Sequence, residues 1–188
     1  MTTRLRPASF AVPTLERARL ESLATTDDLT LAYSGRYLLP RLRKEIEQAR
    51  HRGQALCVAM LDLDHFEETN ETEGHGAGDR VLRIFADRVR ERTSPSGIFV
   101  RYGRDEFVLV LPATECAQAA ALAERIRDAV TAPIELSGRA AIVQTVSIGV
   151  ASWDGEESAG ALVHRADFAM YEAKLAGRNR VVMATPRT

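Results

Sequence analysis

Apolar residues recur along this chain in two rhythms, and the switches between them mark its elements. From Gly35 to Arg52, Leu38, Leu39, Leu42 and Ile46 fall on one helical face among charges. That spacing predicts an amphipathic helix with Pro40 in its first turn or at a bend. Ala55 to Leu63 is an almost unbroken apolar run and predicts a buried strand. Ala77 to Arg92 returns to helical spacing, with Val81, Leu82, Phe85 and Val89 facing inward. Ile98–Tyr102 and Phe107–Leu111 are short apolar runs on either side of a polar turn, a hairpin pattern. An alanine-rich helix over Glu115–Ala132 follows, then a strand over Ile142–Ser152 that passes through Gly149. Ala159–Ala176 reads as the last long helix and Arg180–Ala184 as the last strand. Ahead of all these, Met1–Val12 is polar and interrupted by proline, and Thr14–Ala24 reads as a short helix after Pro13. Helices alternating with strands around one hairpin predict an α/β (α+β) sandwich built on a central mixed sheet.

Composition narrows the classes of function. The chain has 188 residues, a length that suits one domain with a short N-terminal extension. Its formal net charge of -1 gives no basic footprint for nucleic acid. No stretch is long and apolar enough to span a membrane, and Arg4 and Arg6 precede no apolar run of signal-peptide length. Cys57 and Cys116 lie in apolar contexts without metal-type spacing, which points to reduced core or near-core thiols and a cytoplasmic location.

Two places carry more polarity than packing needs. Asp62 closes the otherwise apolar run Ala59-Met60-Leu61, and a carboxylate there is costly unless it is paired or holds a metal. The hairpin tip reads Arg101-Tyr102-Gly103-Arg104-Asp105-Glu106-Phe107 and sets two carboxylates side by side. Alone, that tip is no more than a solvated turn. Two strands that each deliver one carboxylate suit a magnesium ion, which takes oxygen ligands and shares them with substrate phosphates. Lys174 and Arg178, four apart near the end of the last helical pattern, are expected to share a helical face, with Gly177 ending the helix.

Taken together, Asp62-Leu63-Asp64-His65-Phe66 with Asn70 and Gly74-His75-Gly76-Ala77-Gly78-Asp79, the signature-like Arg101–Phe107 run, and Ala173-Lys174-Leu175-Ala176-Gly177-Arg178-Asn179-Arg180 resemble the GGDEF family of diguanylate cyclases. The resemblance runs from about Thr26 to Val182. It implies a palm-like β-α-β-β-α-β core, shared with nucleotide cyclases and polymerases, with a mainly antiparallel sheet flanked by helices. Residues 25–188 would form this domain and residues 1–24 a tail and short helical stalk.

The resemblance also implies roles. Asp62, the Leu63 carbonyl and Asp105 would hold magnesium (or manganese), supported by Glu106. Asp105 would help remove the proton of an attacking 3′-hydroxyl. Asn70 and Asp79 would read the guanine and ribose of GTP. Phe66, Gly103 and Arg104 would border the substrate. Lys174 and Arg178 would contact its β- and γ-phosphates. His75 matches the motif, but a lone histidine at a helix start is more often structural. Asp64 would cap the turn after the strand, whose amides could cradle the triphosphate. The implied reaction joins two GTP into cyclic di-GMP across a two-fold homodimer, with input from a sensor or regulatory protein.

Several positions depart from the family pattern. Arg104 replaces the second glycine of the signature, and a type II′ turn led by Gly103 would tolerate it. Its side chain must swing clear of substrate, and phosphate or Asp105 are its candidate partners. Glu67 replaces a lysine beside the phosphates, and Leu31 replaces a glycine after Asp28-Leu29-Thr30. The family's R-x-x-D product-inhibition site is absent, since Ser94-Pro95-Ser96-Gly97 stands in its place. Arg125-Ile126-Arg127-Asp128 spells that pattern by chance within a helix. The rival reading is a degenerate, non-catalytic GGDEF module that serves in protein interaction or nucleotide-dependent regulation.

Overall fold

The structure is a computed structural model that describes residues 25–135 and 140–185. The helix expected over Thr14–Ala24 lies outside the described residues. In chain order the elements are β1 (Tyr33–Ser34), α1 (Gly35–Arg52), β2 (Leu56–Leu63), α2 (Phe66–Glu73), α3 (His75–Arg92), β3 (Ile98–Arg101), β4 (Glu106–Pro112), α4 (Cys116–Val130), β5 (Val146–Ser152), α5 (Ala159–Leu175) and β6 (Val181–Met183). The strands form one sheet in the order β1-β3-β4-β2-β5-β6. The four central strands pair antiparallel, while β1 on β3 and β6 on β5 pair parallel at the two edges.

Strand β2 is buried along its whole length because both sheet faces are covered. Alternation sorts its side chains. Leu56, Val58 and Met60 pack with Val108 and Val110 against α1 and α5, through Leu38, Leu42, Ile46, Leu162, Ala166 and Met170. Cys57, Ala59, Leu61 and Leu63 pack with Phe107, Leu109 and Ile148 against α3 and α4, through Val81, Phe85, Val89, Ala123 and Ile126. Asp62 and Asp64 belong to the even-numbered set, so the pleat sends both carboxylates toward the α5 side at the strand's end.

Gly149 allows α5 to lie directly on the sheet. A Cβ on this β5 residue would stand 2.1 Å from both the Ala166 carbonyl oxygen and the Met170 amide nitrogen. Below the signature hairpin, Phe107 is fully buried and stacks on Phe99 at 5.2 Å, with Phe85 tilted against it at 4.9 Å. This aromatic group fixes the start of β4, and with it the backbone of Asp105 and Glu106.

The structure corrects several expectations in detail. The short helix α2 was not expected, because its polar residues show no apolar period. Strand β5 begins at Val146 rather than Ile142, which instead makes an isolated bridge to Ile134. Leu39 is partly exposed and leaves the core face to Leu38, Leu42 and Ile46. Pro40 lies one turn into α1 rather than in its first turn. Cys116 is exposed, whereas Cys57 is buried, which pushes its thiol up to about 11.

Candidate active site

The candidate residues meet at one end of the central strands. Asp62 stands opposite Glu106 of β4 on one side and Ser147 of β5 on the other. The Leu63 amide donates to the Asp105 carbonyl at 3.3 Å, which binds the hairpin tip to the end of β2. Asp62 is 5% exposed, and Lys174 from α5 places Nζ 2.7 Å from its Oδ2. Burial drives the Asp62 carboxyl upward. Lys174 opposes that rise, the charges of Asp105 and Glu106 add to it, and the group settles at about 6. Three carboxylates therefore share one neighbourhood with a lysine ammonium as their counter-charge. Such a place fits a divalent cation. Among the described residues no three His, Cys, Asp or Glu side chains already form a cage, and magnesium commonly completes its shell with water and substrate oxygens.

The second aspartate of Asp62-Leu63-Asp64 does other work than the capping expected of it. His65, at φ 55, holds the N-cap position of α2. Asp64 is buried and accepts hydrogen bonds from the Thr145 hydroxyl at 2.7 Å, the Ser147 hydroxyl at 2.6 Å and the Asn179 amide at 3.0 Å. The two strand-end carboxylates thus grip one segment in two places: Asp62 the end of α5, and Asp64 the loop after it.

That loop also corrects the expected helical face. Helix α5 ends at Leu175, and Gly177, Arg178 and Asn179 all take positive φ, at 108°, 62° and 44°. Lys174 is helical and Arg178 is not, so the i,i+4 argument fails. Both are nonetheless brought to the same end of the sheet, because Arg178 donates its amide to the Ala173 carbonyl at 3.0 Å and the next residue is held by Asp64. Gly177 ends the helix as expected. Arg127 of α4 donates to the Asn179 side chain at 3.1 Å and braces the loop from the other side.

The hairpin is not the type II′ turn expected from sequence. Gly103 does not take the positive φ that such a turn requires. The Tyr102 and Gly103 amides both donate to the Glu106 carbonyl, at 2.8 and 3.1 Å. The Glu106 side chain folds back over this glycine, so a Cβ at 103 would lie 2.5 Å from Glu106 Oε2 and push that carboxylate aside. Arg104 adopts no positive φ either, and arginine strains nothing there. Its guanidinium pairs with neither Asp105 nor the core, but reaches Glu67 Oε1 on α2 at 3.3 Å.

Around the α2–α3 turn, Phe66 is buried in the core and Asn70 is buried beside it, with its Nδ2 donating to the Phe66 carbonyl at 3.1 Å. Gly78 leaves room for the Asn70 amide, since a Cβ there would fall 2.0 Å from Asn70 Oδ1. His75 opens α3 and is exposed, as is Asp79 one turn further on.

Asp27 and Arg101 were not foreseen as site residues. Arg101 binds Asp27 through Nη1 at 3.1 Å and the Arg104 carbonyl through Nη2 at 2.7 Å. Burial works to raise the Asp27 carboxyl, but the Thr30 hydroxyl and amide together with Arg101 outweigh it and hold it below the ordinary value. The turn at residues 27–30 is thereby tied to the signature hairpin. A visible signal was Asp27 three residues before Thr30, the spacing of a self-bonded turn. The partner 74 residues away left no sign in the local pattern.

The sheet thus gathers paired carboxylates at the ends of adjacent strands beside a lysine of the neighbouring helix. The family described as "Diguanylate cyclase, GGDEF domain" matches residues 24–180, and the chain belongs to it. It is 40% identical over 162 residues to diguanylate cyclase DgcP of Pseudomonas aeruginosa, covering 86% of this chain and 24% of that protein. It is also 40% identical to response regulator PleD of Caulobacter vibrioides, covering 85% of this chain and 36% of the relative. The chain therefore spans about a quarter to a third of these curated relatives. Among solved structures, the GGDEF domain of DgcB from Caulobacter crescentus in complex with c-di-GMP superposes with a TM-score of 0.82 at 34% identity, covering 85% of this chain and 95% of that one. Diguanylate cyclase SiaD from Pseudomonas aeruginosa, in complex with its activator SiaC, gives 0.83 at 37% identity and covers 89% and 65%.

Proposed function

We propose that this domain is a diguanylate cyclase half-site. The observation that carries the proposal is the meeting of Asp62 with Asp105 and Glu106 around a buried carboxyl raised to about 6. Carboxylates gathered around a lysine 2.7 Å away can exchange that lysine for a metal ion, which frees the ammonium for a polyanion. Asp62, the Leu63 carbonyl and Asp105 are the residues that would hold magnesium (or manganese), with Glu106 in support. Bound there, the ion would neutralise charge on the triphosphate and polarise its α-phosphorus.

The chain's own residues do the rest. Asn70 and Asp79 lie on either side of the α2–α3 turn and take the guanosine, where a carboxylate can accept from both donors of the guanine edge. Lys174, drawn off Asp62, and Arg178 hold the β- and γ-phosphates. Asp105 accepts the 3′-hydroxyl proton as that oxygen attacks the α-phosphate of a GTP on a second copy, and pyrophosphate leaves. Two such steps, one per protomer, close the ring of cyclic di-GMP and release two pyrophosphates. One protomer holds half of the reacting atoms, so catalysis is mainly positioning. The reaction would draw on cytoplasmic GTP, and an upstream partner would control the pairing of protomers.

A second reading, a non-catalytic regulatory module, draws on the Arg104–Glu67 pair at the edge of the site. A relative named cyclic di-GMP phosphodiesterase NbdA is also 34% identical over 164 residues. Incubation with magnesium and GTP, followed by chromatography, separates the two. Cyclic di-GMP from the wild type and none from Asp62→Asn supports the cyclase. No product, with no GTP binding in calorimetry, supports the module.

A further inference from the structure

Two side chains that depart from the family pattern face one another. Glu67 lies in the first turn of α2 and Arg104 at the tip of the β3–β4 hairpin, and Arg104 Nη1 lies 3.3 Å from Glu67 Oε1. The pair joins the two walls of the site, since α2 follows directly on the Asp62–Asp64 strand end and Arg104 precedes Asp105. The backbone at 104 is held in place, because Arg101 donates to its carbonyl at 2.7 Å and is itself clamped by Asp27. The side chain is not so held: Arg104 is 56% exposed and Glu67 75% exposed. Exposed pairs of this kind are weak and easily exchanged. A triphosphate brings several charges and planar oxygen pairs that match a guanidinium better than one mobile carboxylate does.

We propose that Arg104 and Glu67 form a releasable latch across the phosphate mouth, and that incoming nucleoside triphosphate takes Arg104 from Glu67 as a phosphate ligand. Arg104 thus supplies on the hairpin the positive charge that position 67 lacks on α2, and Glu67 tunes affinity by competing for it. The proposal rests on the reading of this site as a nucleoside triphosphate site. It also accounts for both departures at once, as one relocated charge with its keeper.

The test is calorimetric titration of the magnesium complex of guanosine 5′-(α,β-methylene)triphosphate, which cannot react. The proteins are wild type, Glu67→Gln, Arg104→Gln and the double variant, all with substitutions at exposed positions that leave the core intact. Glu67→Gln is expected to tighten binding about fivefold and Arg104→Gln to weaken it about fivefold, the scale of one exposed charge pair. In the Arg104→Gln background the gain from Glu67→Gln is expected to shrink below twofold, leaving the through-space repulsion alone. Equal gains in both backgrounds, or tighter binding by Arg104→Gln than by wild type, would overturn the latch while leaving the cyclase reading in place. Absence of binding by all four proteins would overturn both. The expected binding pattern without turnover of GTP by the wild type would support the latch and overturn the cyclase.

Discussion

Lys174→Met removes the ammonium that faces Asp62 while keeping an unbranched stem of similar length. Asp62 sits at about 6 with that ammonium 2.7 Å away, against an ordinary value of 3.8. The folded value exceeds the unfolded one, so the native state holds its proton more tightly. The wild type is accordingly expected to lose stability as pH rises from about 4 through about 6, and to lose no more from this group above that. Without Lys174, burial and the charges of Asp105 and Glu106 act unopposed and lift the carboxyl further. A nearby charge of this kind shifts a carboxyl by about 1–2 units, at 1.36 kcal/mol per unit. Lys174 is 30% exposed, so solvent screening takes the lower part of that range, about 1–1.5 kcal/mol. The loss should be absent at pH 5, where Asp62 is largely protonated in both folded proteins, and full at pH 8. Urea unfolding of both proteins at the two pH values reads the difference directly. An equal destabilisation at pH 5 and pH 8 would show that Lys174 acts through packing and not through Asp62, and would remove the electrostatic basis for the metal site.

Gly149→Ala should destabilise the fold by about 3 kcal/mol or more, because both atoms that crowd the new Cβ belong to the α5 backbone and cannot rotate away. Denaturant midpoints of wild type and variant measure it, and a loss below about 1 kcal/mol would contradict the close packing of α5 on β5. Leu31→Gly should stabilise by about 0.5–1 kcal/mol, since Leu31 is exposed and holds φ 56, where a side chain is strained. A lowered melting temperature would refute that. Gly103→Ala should leave the melting temperature within a few degrees yet reduce product formation by tenfold or more, because the new Cβ meets Glu106 Oε2 at 2.5 Å and displaces that carboxylate. Unchanged turnover would show that the folded-back Glu106 is dispensable.

Much of the fold was open to reading because burial wrote itself into period. Strand β2 is apolar on both faces since helices cover both, and α3 shows its core stripe through Val81, Leu82, Phe85 and Val89. Helix α2 escaped for the opposite reason: its buried residues are Phe66 and Asn70 among glutamates and threonines, too few to set a rhythm. Asp62 was legible as a costly charge at a strand end. The partners of Asp64 were not, since Thr145, Ser147 and Asn179 lie 81 to 115 residues away and meet it through the sheet order. The separation of Arg178 from the helical face was likewise hidden. A spacing of four positions from Lys174 to Arg178 looks like one helical turn until the left-handed run after Leu175 is seen. Arg104 and Glu67 each stood out as a departure, but their pairing across 37 residues belongs to the fold.

The central claim is that each protomer carries half of a cyclase site. The most direct test is the rate of cyclic di-GMP formation per protein molecule, followed across a wide dilution series at saturating GTP and magnesium. The half-site account predicts that this specific rate falls as the protein is diluted and protomers separate. A specific rate that stays constant from the highest to the lowest concentration, with the protein monomeric throughout by light scattering, would contradict it.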